Sequence, residues 1–350
     1  MSFDPDAAAQ PGSGIFGLRT PPQQARVVLL PVPFDATTSY RAGAARGPRD
    51  ILEASRQVEL FAPDIGRPYL AGIAMMPEDG RVRAWNRSAR RLAEKVIAAG
   101  GAEGAPPEIR RAAEQVNQIS AALERWIFER TARLLREGRI PGIVGGDHSV
   151  PLGAIAACAE RFSGLGILHI DAHADLRRAY EGFAQSHASI MFNVFARLGD
   201  VSRIVQVGIR DFGEEEYRLI GASRGQIRTF FDADIQRARL EGSGWRRLAR
   251  RIAESLPRRV YVSFDIDGLD PSLCPHTGTP VPGGLSFFEA CDLLRALAES
   301  GRTIVGFDLC EVAPSPHEDD EWDGNVGARV LYQLIGYTLL SQKGSRRGPD

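Results

Sequence analysis

From residue 140 onward, short apolar runs alternate with longer stretches in which apolar residues recur every three to four positions. The runs at 140–144, 165–170, 203–208, 227–231, 259–264 and 302–309 have the length and continuity of strands buried on both faces. The periodic stretches at 150–161, 187–198, 213–221, 243–256, 286–299 and 325–341 predict helices. Such alternation predicts a mainly parallel α/β sheet covered by helices on both faces, with its site beyond the carboxyl ends of the strands. Upstream, residues 25–34 read as a first strand ended by prolines, and 50–61 as a helix opened by Pro48. A further strand falls within 66–81, and a basic helix at 81–99. The longest helical pattern runs over 108–137, with Val116, Ile119, Leu123, Trp126, Ile127, Leu134 and Leu135 on one face and Gly138 ending it. We therefore expect a single catalytic domain over 21–342 with a helical insertion at about 81–137. An N-terminal arm at 1–20 and a tail at 343–350 flank it.

Composition narrows the function classes. A net charge of −1 with 25% charged residues supplies no global basic field for nucleic acid or a membrane surface. The four cysteines show no CxxC spacing, which argues against a disulfide framework and suits a reducing cytoplasm. No apolar run reaches the ~18 residues of a membrane span. Residues 1–14 lack the basic start and apolar centre of a signal peptide, so they read as a flexible arm.

Candidate chemistry gathers where the apolar runs end. Gly-Gly-Asp-His-Ser follows the run at 140–144 and supplies His148. Asp-Ala-His-Ala-Asp follows 165–170 and supplies Asp171, His173 and Asp175. Ser-Phe-Asp-Ile-Asp-Gly-Leu-Asp-Pro closes the run at 259–264 and supplies Asp265 and Asp267. Residues two apart in extended chain point the same way, so each set can face one centre. Buried carboxylates are costly unless paired or bound to metal. This oxygen and imidazole set, without sulfur, favours Mn²⁺, with Ni²⁺, Fe²⁺, Co²⁺ or Zn²⁺ as other candidates. The six ligands suit two ions, with Asp171 and Asp265 bridging, and bound metal would supply hydroxide at neutral pH. His169 lies one step deeper on its strand and reads as a core or supporting histidine. Cys274, His276 and Cys310 read as loop residues and not as a zinc site.

With these motifs in this order, the chain resembles the ureohydrolase family of arginase, agmatinase and formimidoylglutamase. The resemblance extends to Thr-Gly-Thr-Pro-Val-Pro-Gly-Gly at 277–284, to Glu-Val-Ala-Pro at 311–314 and to the glycine loop before Pro48, covering roughly residues 25–340. It implies a three-layer α/β/α arginase-like fold, a binuclear manganese centre and a homotrimer or homohexamer. It implies that His148, Asp171, Asp175 and Asp265 bind one ion, and Asp171, His173, Asp265 and Asp267 the other. His187 resembles the family's proton-shuttling histidine, and its ordinary pKa of ~6.5 suits transfer to a leaving amine. Glu311 is positioned to receive a planar guanidinium through paired hydrogen bonds.

Departures bear on substrate. The segment after the metal motif, Leu-Arg-Arg-Ala-Tyr-Glu-Gly-Phe at 176–183, lacks the small polar residues with which arginase-like members read an amino acid. Arg177 or Arg178 could read a carboxylate there. The acidic stretch 318–321 could instead hold the distal ammonium of agmatine. The expected activity is hydrolysis of a carbon–nitrogen bond in a linear amidine or guanidine, releasing urea, with agmatine the leading substrate. Free guanidine, which some agmatinase-like members hydrolyse with nickel, and guanidino acids are alternatives. Formimidoylglutamase, which Leu176 and Arg177 also resemble, stands further off because His187 points to guanidino substrates, and zinc amide deacetylase and a non-catalytic binding protein because no ligand of the set is missing.

Overall fold

A computed structural model of the chain describes residues 4–10, 12–317 and 319–344. Its centre is an eight-stranded sheet. The strands are β1 (Val27–Val32), β2 (Ile73–Met75), β3 (Ile140–Gly145), β4 (Leu165–Ile170), β5 (Val201–Ile209), β6 (Ile227–Phe231), β7 (Arg259–Asp265) and β8 (Thr303–Cys310). Their order is β2-β1-β3-β8-β7-β4-β5-β6, and every pairing among them is parallel. The inner strands β1, β3, β4 and β8 are buried at every position, which is why they read as unbroken apolar runs.

Ten helices cover the sheet among the described residues. They are α1 (Gly47–Ala54), α2 (Gly80–Ala98), α3 (Pro107–Arg136), α4 (Leu152–Arg161), α5 (Ile190–Arg197), α6 (Glu214–Ala222), α7 (Asp232–Leu240), α8 (Trp245–Glu254), α9 (Phe287–Glu299) and α10 (Trp322–Gly344). One face packs α1, α8, α9 and α10 through Ile51, Ile252, Leu293 and Leu334. The other packs α2 to α5 through Val82, Val116, Ile155 and Val194. Strand alternation feeds both layers: Val260, Val262 and Phe264 of β7 enter the first, and Tyr261 the second.

Three departures from the sequence expectation have physical causes. Helix α7 was not expected, because Ile235 is its one buried apolar residue and Leu240, its other large apolar residue, is exposed. The helix expected at 50–61 stops at Ala54 and tightens into a 3-10 turn, Ser55–Gln57. The segment expected as an arm over 1–20 is anchored near its end. Ile15, Phe16 and Leu18 are buried, and the Phe16 ring meets Tyr332 edge-on at 4.8 Å.

Four neighbouring strands, β3, β8, β7 and β4, carry the motifs at their carboxyl ends. Two glycines permit the close approach. A Cβ on Gly146 would lie 2.0 Å from the Phe34 carbonyl oxygen, and one on Gly268 2.7 Å from the Asp171 nitrogen. No helix among the described residues is long and apolar enough to cross a membrane.

Candidate metal centre and substrate cavity

The six residues proposed as ligands converge in one buried cluster. His148 Nδ1 lies 2.8 Å from Asp171 Oδ2, 3.2 Å from Asp265 Oδ2 and 3.3 Å from Asp175 Oδ2. On the other side, His173 Nδ1 lies 3.0 Å from Asp267 Oδ2 and 3.5 Å from Asp171 Oδ1. Asp171 thus turns one oxygen to each imidazole. Asp265 sits with the His148 group, and its Oδ1 accepts the Asp267 backbone N–H at 2.9 Å. The far nitrogen of His148, Nε2, is held from behind by Ser263 Oγ at 2.9 Å, while His173 Nε2 faces Asp211 at 3.9 Å, beyond hydrogen-bond range. A partner such as Ser263 orients a ligating ring.

Burial and then Asp171 push Asp175 up to about 7. Burial, Asp267 and Asp171 push Asp265 well above the carboxylate range. Burial alone would raise Asp171 too, but His169, His148 and His173 outweigh it and hold Asp171 well below. Burial opposes charge on the imidazoles, yet the carboxylates prevail, raising His148 well above 6.5 and His173 to about 12. Protonated imidazoles are the only cations inside this cluster of four carboxylates among the described residues. An oxygen and nitrogen donor set this dense, short of positive charge, fits divalent metal.

The backbone is strained at two of these points. Asp175 has φ of 54° and Glu311 φ of 62°, in the left-handed region that side chains avoid. Glu311 is held there by its N–H to the Gly146 carbonyl and by Thr277 Oγ1 donating to its own carbonyl, each at 2.8 Å. Its Oε1 accepts the His148 N–H at 3.0 Å, while the buried Oε2 has no partner. Burial, then Asp147, pushes its pKa well above the usual range.

A cavity of about 160 Å³ opens from this floor. His173, Asp175, His187, Arg177, Tyr180 and Asp211 are among its lining residues. Glu311 does not line it; its Oε2 lies 3.5 Å from where a Cβ on Gly278 would stand, and Gly278 precedes Thr279 of the wall. His187 opens the turn before α5, with Tyr180 edge-on at 5.9 Å. Burial, then His173 and His148, lower its pKa from 6.5 to about 4, and its Nδ1 has no partner. A larger cavity of about 540 Å³, near Arg26, Leu70 and Leu339, adjoins the amino end of β1 and holds no cluster of ligating groups among the described residues.

Arg177 lines the cavity but is already engaged. Its Nε lies 3.7 Å from Glu216 Oε2, and its guanidinium stacks 5.1 Å from the Tyr180 ring centre. Arg178 leaves the cavity and stacks on Phe192. In the acidic stretch 318–321, Glu318 lies outside the described residues. Asp319 and Glu321 are exposed and do not line the cavity. His169 donates from Nε2 to Asp171 at 2.8 Å while Gln206 approaches its Nδ1 at 3.1 Å, a supporting position beside the ligands. His276 pairs with Asp323, and Cys274 donates to the Ile266 carbonyl. Sequence reasoning missed Asp308, Asp211 and Glu216. Asp308 touches Ser263 Oγ at 3.2 Å behind His148, and a carboxylate inside the apolar run of β8 was its available signal. Asp211 and Glu216 lie in a polar segment and carried none.

Comparison with known proteins agrees with this geometry. Residues 25–336 match the arginase family model. The chain is 35% identical over 323 residues to an N(1)-aminopropylagmatine ureohydrolase of Thermus thermophilus, covering 92% of this chain and 94% of that one. It is 30% identical to an agmatinase of Bacillus anthracis, covering 90% and 93%. The agmatine ureohydrolase structure of Thermoplasma volcanium superposes with a TM-score of 0.69 at 26% identity, covering 93% and 94%. The strand-end carboxylates and imidazoles, the all-parallel sheet and these full-length similarities agree: the chain belongs to the arginase family, as an agmatinase-like ureohydrolase.

Proposed function

We propose that the protein hydrolyses the guanidino group of a cationic amine, agmatine or its N1-aminopropyl derivative, to urea and the parent amine. Two divalent ions would serve, manganese first and nickel as the alternative. His148, Asp171, Asp175 and Asp265 would hold one, and Asp171, His173, Asp265 and Asp267 the other. The observation that carries this reading is the buried convergence of four carboxylates on two imidazoles, short of positive charge. When bound, the ions would supply hydroxide at neutral pH and offset the carboxylates.

The chain's own residues supply orientation and proton transfer. Glu311 Oε2 is buried and unpartnered, so a guanidinium brought to it gains a charge-assisted partner. His187 is uncharged at neutral pH, and its free Nδ1 can take a proton and release it to the leaving amine. The wall favours a cationic tail over an acidic one. Glu216 pairs with the arginine that faces the cavity, while Asp211, with 67% of its side chain exposed, faces only the His173 imidazole at 3.9 Å and adds negative charge to the wall. The family resemblance adds assembly as a homotrimer or homohexamer in the cytoplasm to the proposal.

Urea release tests it, with enzyme loaded with manganese or nickel. The panel is agmatine, N1-aminopropylagmatine, guanidine, guanidinobutyrate and arginine. The two cationic amines should give the highest kcat/KM. Urea from none of the five, or preference for guanidinobutyrate, overturns the reading.

A further inference from the structure

The hairpin of α2 and α3 contributes no residue to the metal cluster, yet its polar side chains grip both loops that meet at His187. From α2, Asn86 exchanges two hydrogen bonds with Asp35: its Oδ1 accepts the Asp35 N–H at 2.9 Å, and its Nδ2 donates to Asp35 Oδ1 at 3.0 Å. One turn on, Arg90 donates to the Thr38 carbonyl at 2.6 Å and to Thr38 Oγ1 at 3.0 Å. These bonds fix the loop whose Thr37 backbone is a hydrogen-bond partner of the His187 ring.

From α3, Asn117 holds the loop that leads into His187. Its Nδ2 donates to the Gly182 carbonyl at 3.0 Å, and its Oδ1 accepts the Ala184 N–H at 2.9 Å. Two turns on, Glu124 receives the side chains of Gln185 and Arg197. At the hairpin tip, the Ala102 N–H donates to the Glu181 carbonyl at 3.0 Å. The gripped turn is a strained one. Glu181 has φ of 54° and Gly182 φ of 95°. A glutamate in that region persists only when its surroundings over-determine it.

We propose that the α2–α3 hairpin is the frame that positions His187, and that Asn117 is its central positioning residue. Core packing of the hairpin runs through Val82, Val116, Leu123 and Ile127, and Asn117 is not among the buried core side chains. The half-exposed Asn117 can therefore be changed without opening the core. The inference rests on the proposed role of His187, and the test separates the two.

Asn117→Leu removes both hydrogen bonds, and Asn117→Asp keeps the acceptor for Ala184 while losing the donor. In metal-loaded full-length enzyme, Asn117→Leu should lower kcat about tenfold, since small misplacements of a catalytic group are costly. Asn117→Asp should lose less, and KM and metal content should stay near wild type in both. In a His187→Ala background, Asn117→Leu should cost nothing further in kcat, because both changes act through one group. Amide hydrogen exchange over 181–187 should quicken in Asn117→Leu while β4 stays protected. An unchanged kcat despite faster loop exchange, or an added loss in the His187→Ala background, overturns the positioning role. If the wild type releases urea from no substrate, the proposed function fails, and the exchange measurement alone decides whether Asn117 pins the loop.

Discussion

At the floor of the site, each candidate ligand follows the strand that presents it by a few residues at most. Asp171 directly follows β4, Asp265 ends β7, and both sit at fixed spacing from the next donor. In the wall, His187 and Tyr180 come from a loop held by helices that pack elsewhere on the sheet. The floor is left short of positive charge. The wall is largely satisfied within itself, as Arg177 with Glu216 and Asn117 with the 182–184 backbone illustrate. On the proposed reading the floor would carry the chemistry and the wall selectivity and proton traffic, so mutation of each should fail differently.

The largest effect should come from the floor. Asp171→Ala removes the carboxylate that faces both imidazoles. We expect turnover to fall about a thousandfold or more, because the metals' charge stabilisation is worth several kcal/mol. Metal analysis should show both ions depleted, more than in His148→Ala. An Asp171→Ala protein that keeps two ions per chain would remove the bridging assignment.

His187→Ala belongs to the wall and should separate the two regions. Turnover should drop by ~10² while metal content is unchanged, the usual scale for a lost proton carrier. Metal loss in this variant would erase the distinction between floor and wall. Glu311 lies between them. Glu311→Gln keeps the shape and the His148 contact but loses the charge. A charge-assisted hydrogen bond of roughly 1.5–3 kcal/mol predicts a ten- to hundredfold fall in kcat/KM. A value within twofold of wild type would reject it as the guanidinium anchor.

The same contrast explains how much could be read without coordinates. The convergence of the six candidate ligands was legible because strand-end spacing is local, and six of eight strands follow from buried apolar runs between 140 and 310. Helix α7 was not, because one buried isoleucine gives no periodicity. The pairing of Arg177 with Glu216 was not legible either. It joins the loop after β4 to α6, and nothing in either segment names the other. Asn117 was hidden for a related reason: it sits on the half-exposed side of a helix whose pattern is defined by its apolar stripe. Arg177 as a free carboxylate reader was therefore a fair expectation from sequence, with which the Glu216 pairing now competes.

A smaller effect is expected on stability. The folded state lowers His187 from 6.5 to about 4, so between those values the unfolded chain binds more protons. The penalty starts as pH falls below 6.5 and is complete near 4, so stability declines on acidification and is unaffected above neutrality. In metal-free protein the term is on the order of 2 kcal/mol after allowance for partial exposure. Denaturant unfolding of wild type and His187→Ala at pH 7.5 and 5 reads it. The variant should lose less stability between the two, and equal losses would place the imidazole in solvent.

Arg177→Ala should have the smallest effect of all, and its sign is informative. The guanidinium lies beside Glu216 and over Tyr180, with nearly half its side chain exposed. Solvent screens an exposed ion pair, so the fold loses little. If Arg177 read a substrate carboxylate, its loss would lower kcat/KM for guanidinobutyrate tenfold or more through a charge-assisted contact, and leave agmatine untouched. If it is spent on Glu216, removal instead frees that carboxylate beside the cavity. Glu216 still accepts the Leu176 and Gly213 N–H groups, at 2.9 and 2.7 Å, so it stays in place. The freed negative charge should then favour a cationic tail. We expect kcat/KM for agmatine to change less than about threefold, upward if at all, since a single partly screened charge is worth under about 1 kcal/mol. The two kcat/KM values, each measured separately, are the deciding measurement. An unchanged or raised value for agmatine with guanidinobutyrate little affected supports a wall built for amines, and a steep loss confined to guanidinobutyrate would return Arg177 to the role of carboxylate reader.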